Sequence, residues 1–484
     1  MYELRPYQQA SVEAGLETLR KLKREVLTEP TGSGKSLIIA SVAKELEGDT
    51  IVFQPNKEIL EQNLQKMHEF GFNDVGVFSA SMGEKTLGKV TFATIGTIYN
   101  QKDMWHLFDN VIIDECHLVN AKGGMYDEFI KAHGGAVLGL TATPFRLHAY
   151  NDFKTDERAV VAKMLNRTRP KIFDNIAHIT QIKELYDLGF LAPVRYSVAD
   201  NYNHSQLVLN STGMDFTDAS IKAYNEENDV VGEVAKLTAS AVKDGAKHIL
   251  IFNKFVEEAE ALRDNLQNLG IVAESISAET PKKQRKQILE DFRSGEIQVV
   301  TNVGVLTTGF DFPELDCVIL ARPTQSVALY YQMVGRGVRT AEGKECLNLI
   351  DVCGNVKRFG KIETFEFVPV SEGSKLLRLK SDASFLTGYD FVGNQDLEER
   401  DYAGYKETDG GKNPKIVFIG KWSNGGKGTH VSKIDTGYLK WAVENFNSGS
   451  VKAQFTKELE RRKQNDQNRD KTTVSEPSVA GETL

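Results

Sequence analysis

The chain has 484 residues, a net charge of −8, 40% hydrophobic and 26% charged residues, which is too much for one hydrophobic core and ordinary for a soluble multidomain protein. It has no run of about 18 apolar residues, so no helical membrane span is expected. The acidic balance excludes a protein that coats nucleic acid by charge alone, though not one that holds phosphates locally through backbone N–H groups and a few basic side chains.

The N-terminal MYELRPYQQA carries Glu3 and lacks the apolar segment of a secretory signal. QQASVEAGLETLRKL has helical apolar spacing, and EVLTEP reads as a strand. SLIIASVAKELEG follows as a helix ending at Gly48, then the short apolar run TIVFQP, then the helix KEILEQNLQKMHEFG ending at Gly71. KVTFATI, NVIIDE and AVLGLTAT are further short apolar runs. This alternation predicts parallel strands with crossover helices in a first domain, residues 1–190. Within it, 146–180 is charged and poorly periodic and reads as an insertion. Residues 191–235 are polar and read as a connector. The alternation returns in HILIFN, KFVEEAEALRDNLQNLG, QVVTNVGVL, DCVILAR and SVALYYQMVG, giving a second α/β unit over 236–370. Residues 371–450 hold many glycines and a few apolar runs, the pattern of a small accessory module. The segment 451–484 reads as helical at first and then disordered. Cys116, Cys317, Cys346 and Cys353 form no C-x-x-C pair, so neither zinc nor a disulfide framework is expected and a reducing cytoplasm fits.

Three stretches carry chemistry. TEPTGSGKS, residues 28–36, is a Walker A pattern except that Glu29 stands where the first glycine is expected. Gly32 and Gly34 free backbone N–H groups for phosphates, Lys35 supplies a point charge, and the Ser36 hydroxyl suits Mg²⁺. NVIIDECH, residues 110–117, ends an apolar strand in Asp114 and Glu115. That pair suits Mg²⁺ binding by Asp114 and activation of water by Glu115; taken alone it equally suits a helix cap. QMVGRGVR, residues 332–339, sets Arg336 and Arg339 three apart, on one face if the segment is helical. Arginines in a second domain can stabilise a γ-phosphoryl transition state; the other reading is a solvated basic turn.

Taken together, these motifs resemble those of superfamily 2 helicases, in the family's order and over about residues 2–360. YELRPYQQ looks like the Q-motif region, PTGSGKS the family's Walker A, which does not require the earlier glycine, and DECH its DExH-type Walker B. TATPFR looks like motif III, TNVGVLTTGFDFPELDCVILARPT like motif V with its flank, and QMVGRGVR like motif VI. LRPYQQ, GLTATPFRL, GFLAP, LTTGFD and RPTQSVALYYQMVGRGVR are most similar to the bacterial RadD group, repair-associated DNA-dependent ATPases, and to phage-encoded repair and branch-migration helicases. The cysteine-rich C-terminus of the RadD group has no counterpart here.

The resemblance implies an α/β fold of two tandem RecA-like lobes with a small glycine-rich C-terminal module, working in the cytoplasm of a bacterial cell or phage-infected host. It implies ATP and Mg²⁺, with Tyr2, Arg5 and Gln8 at the adenine and Thr31, Gly32, Ser33, Gly34, Lys35 and Ser36 around the phosphates. Gly309 and Asp311 fall near the ribose. Ser36 and Asp114 hold the metal, Glu115 and Gln332 order the water, and Arg336 and Arg339 meet the γ-phosphate. Thr141, Ala142 and Thr143 couple hydrolysis to strand contact. The strand itself is implied to lie on Pro55, Asn56, Thr94, Thr97, Asn253, Thr307 and Thr308, each of which taken singly also reads as a turn or cap residue.

The expected partner is single-stranded, forked or branched DNA, with recombination or single-strand-binding proteins beside it and no membrane. RNA remains open as the track, because DECH fits either, and the motor of a restriction complex is a further reading. RKLKR and KKQRK read first as solvated helix faces. In the C-terminal stretch, Lys421, Trp422, Lys427, Tyr438 and Trp441 suit either strand stacking or the core of a small domain.

Overall fold

The computed structural model describes residues 4–151, 158–198, 202–307, 309–369 and 377–387, together with 456, 457, 459, 460, 462 and 463, which are helical. Met1–Ala149, Val160–Val368 and Arg378–Glu398 gather into one compact unit that contains both main sheets, and Tyr150–Ala159, Pro369–Leu377 and Glu399–Leu484 belong to a second. Most of the predicted C-terminal module, with Lys421, Trp422, Lys427, Tyr438 and Trp441, lies outside the described residues, as do Tyr2 and Thr308.

The first sheet is built from β1 Arg24–Thr28, β2 Thr50–Phe53, β3 Val75–Ser79, β4 Glu84–Lys85, β5 Val90–Ala93, β6 Asn110–Ile113 and β7 Val137–Thr141. β8 Phe145–Asn151 and β9 Arg158–Met164 pair as a separate ribbon, and β10 Asn175–Ile179 rejoins the sheet beside β1. Its order is β10-β1-β7-β6-β2-β5-β3-β4, parallel except where β4 turns back on β3. The stretch 146–180, expected as an insertion, therefore supplies an edge strand of the sheet. Its half-buried Asn-Ile-Ala-His-Ile lacks the apolar density of the central strands and so gave a weak signal.

β1, β2, β6 and β7 read as nearly unbroken apolar runs because both their faces are covered. On one face Val12, Leu16, Ile38, Val42 and Leu60 of the helices Pro6–Arg20, Lys35–Glu45 and Lys57–Glu69 meet Leu27, Val52, Ile112 and Leu138. On the other, Trp105 and Phe129 meet Phe53, Val111 and Ile113.

The second sheet contains β11 Val194–Val198, β12 Ile249–Asn253, β13 Ala273–Ile276, β14 Val299–Asn302, β15 Cys317–Ala321 and β16 Leu347–Asp351, all parallel, in the order β11-β16-β15-β12-β14-β13. β11 lies in the polar stretch expected as a connector. Val194, Tyr196 and Val198 alternate with Arg195 and Ser197, which is the period of an edge strand with one side half covered. The helices Asp218–Glu227 and Val230–Lys243 from the same stretch bury Ile221, Val230 and Val234 against this sheet's core. The strands β17 Glu366–Pro369 and β18 Leu377–Lys380 form a last short ribbon.

Candidate active site

In both sheets the chemistry-bearing motifs leave the carboxyl ends of parallel strands, where helix N-termini and loops converge and where α/β sheets bind ligands. The glycine loop follows β1 and runs into the helix Lys35–Glu45. Gly32 and Gly34 both take φ +87°, a left-handed conformation open to glycine. A Cβ on Gly34 would stand 2.6 Å from Gln8 Nε2, so the loop closes tightly on the N-terminal helix. That helix is tied to the loop twice: Tyr7 OH and Gln8 Nε2 both donate to the Ser33 carbonyl, at 2.9 and 2.8 Å. Gln8 Oε1 accepts from the Arg5 backbone N–H at 3.0 Å, and the Arg5 guanidinium stacks 3.7 Å above the Phe190 ring. Sequence reasoning missed Phe190 as a neighbour of Arg5, since only the fold brings position 190 to position 5.

Glu29 is fully buried; its Oε1 accepts from Ser11 Oγ at 2.6 Å and Thr180 Oγ1 at 3.2 Å. Burial raises its carboxyl to about 7, with the two hydroxyls and the Lys35 charge pulling the other way. The residue that breaks the Walker A pattern thus serves as a packed anchor between the N-terminal helix and the strand β10.

Asp114 and Glu115 leave β6. Glu115 sits at φ +48°, uncommon for a side-chain-bearing residue and typical of strained functional positions. Its carboxylate lies 3.8 Å from Lys35 Nζ and 3.3 Å from His117 Nδ1. Burial opposes its charge, but Lys35, His117 and Arg336 hold it well below the usual range. Asp114 is pushed the other way, by burial and by the Glu115 charge. This divergence is the usual mark of a carboxylate pair with split roles.

Asn63, which the sequence did not single out, joins the two expected metal ligands. It accepts from Ser36 Oγ, and its Nδ2 donates to Asp114 Oδ2 at 3.1 Å and to Gln54 Oε1 at 2.9 Å. A hydroxyl and a carboxylate around one amide form a hard-oxygen donor set of the kind Mg²⁺ takes with one or two protein ligands and phosphate oxygens. Ser36 and Asp114 are the residues that fit it.

From β7, Thr141 Oγ1 meets His117 Nδ1 at 2.8 Å and accepts from the Thr143 backbone at 3.0 Å, while Ala142 is buried beside them. His117 Nε2 lies 3.3 Å from Gln332 Nε2, so one imidazole touches Glu115, Thr141 and a residue of the second lobe. Further contacts join the lobes: Gln62 Nε2 donates to the Gly309 carbonyl at 2.8 Å, and Gly335 approaches Thr31 so closely that a Cβ would lie 2.9 Å from its hydroxyl.

Arg336 and Arg339 do not share a helical face. The helix Val327–Val334 ends before them, and Gly335 and Gly337 carry the chain into a close-packed turn where a Cβ on Gly337 would collide with Leu347. Arg336 Nη1 donates to the Phe310 carbonyl at 3.0 Å, and Arg339 is paired with Asp311. Burial, then repulsion from Arg339, lowers Arg336 to about 10, with Glu115 and Asp311 opposing.

The residues expected to meet a strand stand at strand ends as well. Pro55 and Asn56 follow β2, and Asn56 Oδ1 caps the helix Lys57–Glu69 through the Ile59 N–H at 2.9 Å. Thr94 and Thr97 share a 2.9 Å hydroxyl contact after β5, and Thr97 Oγ1 accepts from the Ala80 N–H at 3.0 Å. Asn253, 3% exposed, ends β12, and its Oδ1 has no hydrogen-bond partner among the described residues; Thr307 is half-buried beyond β14.

Two family models match the chain in order: the Type III restriction enzyme res subunit over residues 1–146 and the helicase conserved C-terminal domain over 233–341. A 51.5 kDa protein of a Lactococcus phage is 25% identical over 68% of this chain and 65% of its own length. The DNA 3'-5' translocase XPB2 of Sulfurisphaera tokodaii is 22% identical over 72% of this chain and 81% of its own. The chain thus spans less than two thirds of the phage relative. Among solved structures, the ATP-dependent Type ISP restriction-modification enzyme LlaBIII bound to DNA has a TM-score of 0.54 and 18% identity, covering 72% of this chain and 27% of that one, a likeness of fold. With its two matched lobes in this order and DECH at the end of β6, the chain belongs to the superfamily 2 DExH-type helicases.

Proposed function

We propose that the protein is an ATP hydrolase that moves along or remodels single-stranded or branched DNA, in repair, recombination or replication. The observation that carries this reading is the convergence on Glu115: Lys35 of the glycine loop reaches its carboxylate, and His117 relays to Gln332, with Arg336 of the second lobe near enough to lower its pKa. ATP held at Gly32, Gly34 and Lys35 would present its γ-phosphate to this group. Glu115, already ionised, takes a proton from the attacking water, which Gln332 helps to orient. Arg336 and Arg339 stabilise the charge that develops on the phosphoryl oxygens. Ser36 and Asp114 would hold Mg²⁺, which would supply Lewis-acid polarisation. Thr141 links this centre to the TATP loop, the route by which hydrolysis reaches the strand-contacting residues Pro55, Asn56, Thr94, Thr97, Asn253, Thr307 and Thr308. DNA is favoured as the track by the RadD-like motif flanks and by the DNA translocase among the relatives.

The test is steady-state ATP hydrolysis with single-stranded, duplex, forked and four-way DNA and with RNA. Turnover stimulated at least about tenfold by one of the DNAs is expected, and Lys35→Ala should lower kcat by roughly 10³-fold or more. Stimulation by RNA alone would reassign the track. Absence of turnover with every nucleic acid would remove the enzymatic reading.

A further inference from the structure

We propose that Lys344 is a positioning residue for Arg336 and Arg339: its ammonium group binds the carbonyls that fix the 335–339 turn to the 309–313 loop. This rests on the ATPase reading above. Lys344 Nζ donates to the Gly337 carbonyl at 2.6 Å, the Arg339 carbonyl at 2.8 Å and the Pro313 carbonyl at 2.9 Å. An ammonium has three N–H donors, and the three carbonyls use all of them. The intervening Val338 carbonyl accepts from the Ala192 N–H at 2.8 Å, and Leu191 bridges to Arg339. Every carbonyl from Gly337 to Arg339 is therefore held, two by one lysine and one by the chain entering the second lobe.

The lysine joins the same two loops that the arginine side chains join. Arg336 donates to Phe310 and Arg339 pairs with Asp311, while Lys344 ties Pro313 to the backbone of Gly337 and Arg339. No helix holds this turn, since the preceding one ends at Val334. Without the lysine, three carbonyl oxygens packed around one point lose their common donor and repel one another. The turn would then relax by small shifts of the kind that spoil transition-state contacts while leaving ground-state binding intact.

The clamp also has a pH signature. Burial lowers the Lys344 ammonium to about 8; Asp316, Glu314 and Cys346 oppose the shift, and Arg339 reinforces it. The protonated form makes the clamp, so turnover should fall as pH rises through about 8.

The experiment measures DNA-stimulated hydrolysis from neutral to alkaline pH for the wild type, Lys344→Met and Lys344→Arg, with binding of a fluorescent ADP in the presence and absence of aluminium fluoride. Lys344→Met should lower kcat roughly 10- to 100-fold with KM for ATP within about threefold, and should lose the extra affinity that aluminium fluoride confers on ADP. Lys344→Arg, which stays protonated, should retain turnover and move the alkaline fall upward by about one pH unit or more. If Lys344→Met does not fold, the arginine variant decides by the position of that fall. A wild-type kcat in Lys344→Met, or an unshifted alkaline fall in Lys344→Arg, overturns the proposal. A wild type that hydrolyses no ATP at all would instead remove the reading on which it rests.

Discussion

Glu29 shows how one residue can be legible as an exception and still be opaque in role. In the sequence it interrupts a glycine motif; in the fold its carboxyl is buried against Ser11 and Thr180. Its folded pKa, about 7, is raised above the ordinary 4.5 by burial. Between those values the folded state keeps a proton that the unfolded state has lost. The stability this contributes is present at low pH and is lost as pH rises through about 7. Glu29→Gln is neutral at every pH and keeps the Oε1 acceptor. It should be more stable than the wild type at pH ~8, by up to about 3 kcal/mol, with the gain fading towards pH ~5. Urea unfolding at both pH values tests this, and parallel pH dependence in the two proteins would mean that the carboxyl ionises in place without penalty. His117, in contrast, is visible as the last letter of DECH, but its contacts with Thr141 and Gln332 depend on one other strand and on a helix of the other lobe.

At the scale of elements, the glycine loop and the helix it opens are the most sequence-determined part of the site. The left-handed conformations of Gly32 and Gly34 follow from their lack of a Cβ, and the helix follows from its apolar spacing. Gly34→Ala must both adopt φ +87° and meet Gln8 at 2.6 Å. ATP affinity should fall roughly 10- to 100-fold, read by titration with a fluorescent nucleotide; an unchanged affinity would show that the loop opens freely from the N-terminal helix. The edge strands β10 and β11 were much harder to read. Central strands are covered on both faces and show as apolar runs. Edge strands are half covered, mix polar residues among the apolar ones and look like loops. The shared face of the two arginines of QMVGRGVR was conditional on a helix, and the helix ends at Val334, where two glycines and the packing against Leu347 turn the chain.

For the whole unit, the chain leaving the second sheet returns to the first lobe. Gln181, just after β10, exchanges two hydrogen bonds with the backbone of Phe367 in β17, donating to its carbonyl at 2.9 Å and accepting from its N–H at 3.0 Å. Phe365 and Leu379 then join the same core as Phe145, Ile182 and Leu185. Gln181→Ala should lower unfolding stability by about 1–2 kcal/mol, because both Phe367 backbone groups lose their partner. A shift in the urea midpoint at unchanged m-value is the expected result, and no shift would mean that water replaces the amide without cost.

By itself the sequence determined the α/β class, the motif order and the chemistry available in each motif. Those depend on local spacing, on the conformational freedom of glycine and on apolar runs, all of which are written within a few residues. Only the tertiary structure decided that Asn63 joins Ser36 to Asp114, that one imidazole links Glu115 to Gln332, and that a lysine beyond the arginine motif holds its carbonyls. These contacts join residues whose separation along the chain is set by the order of strands in a parallel sheet and by the docking of two lobes. No local pattern encodes such distances.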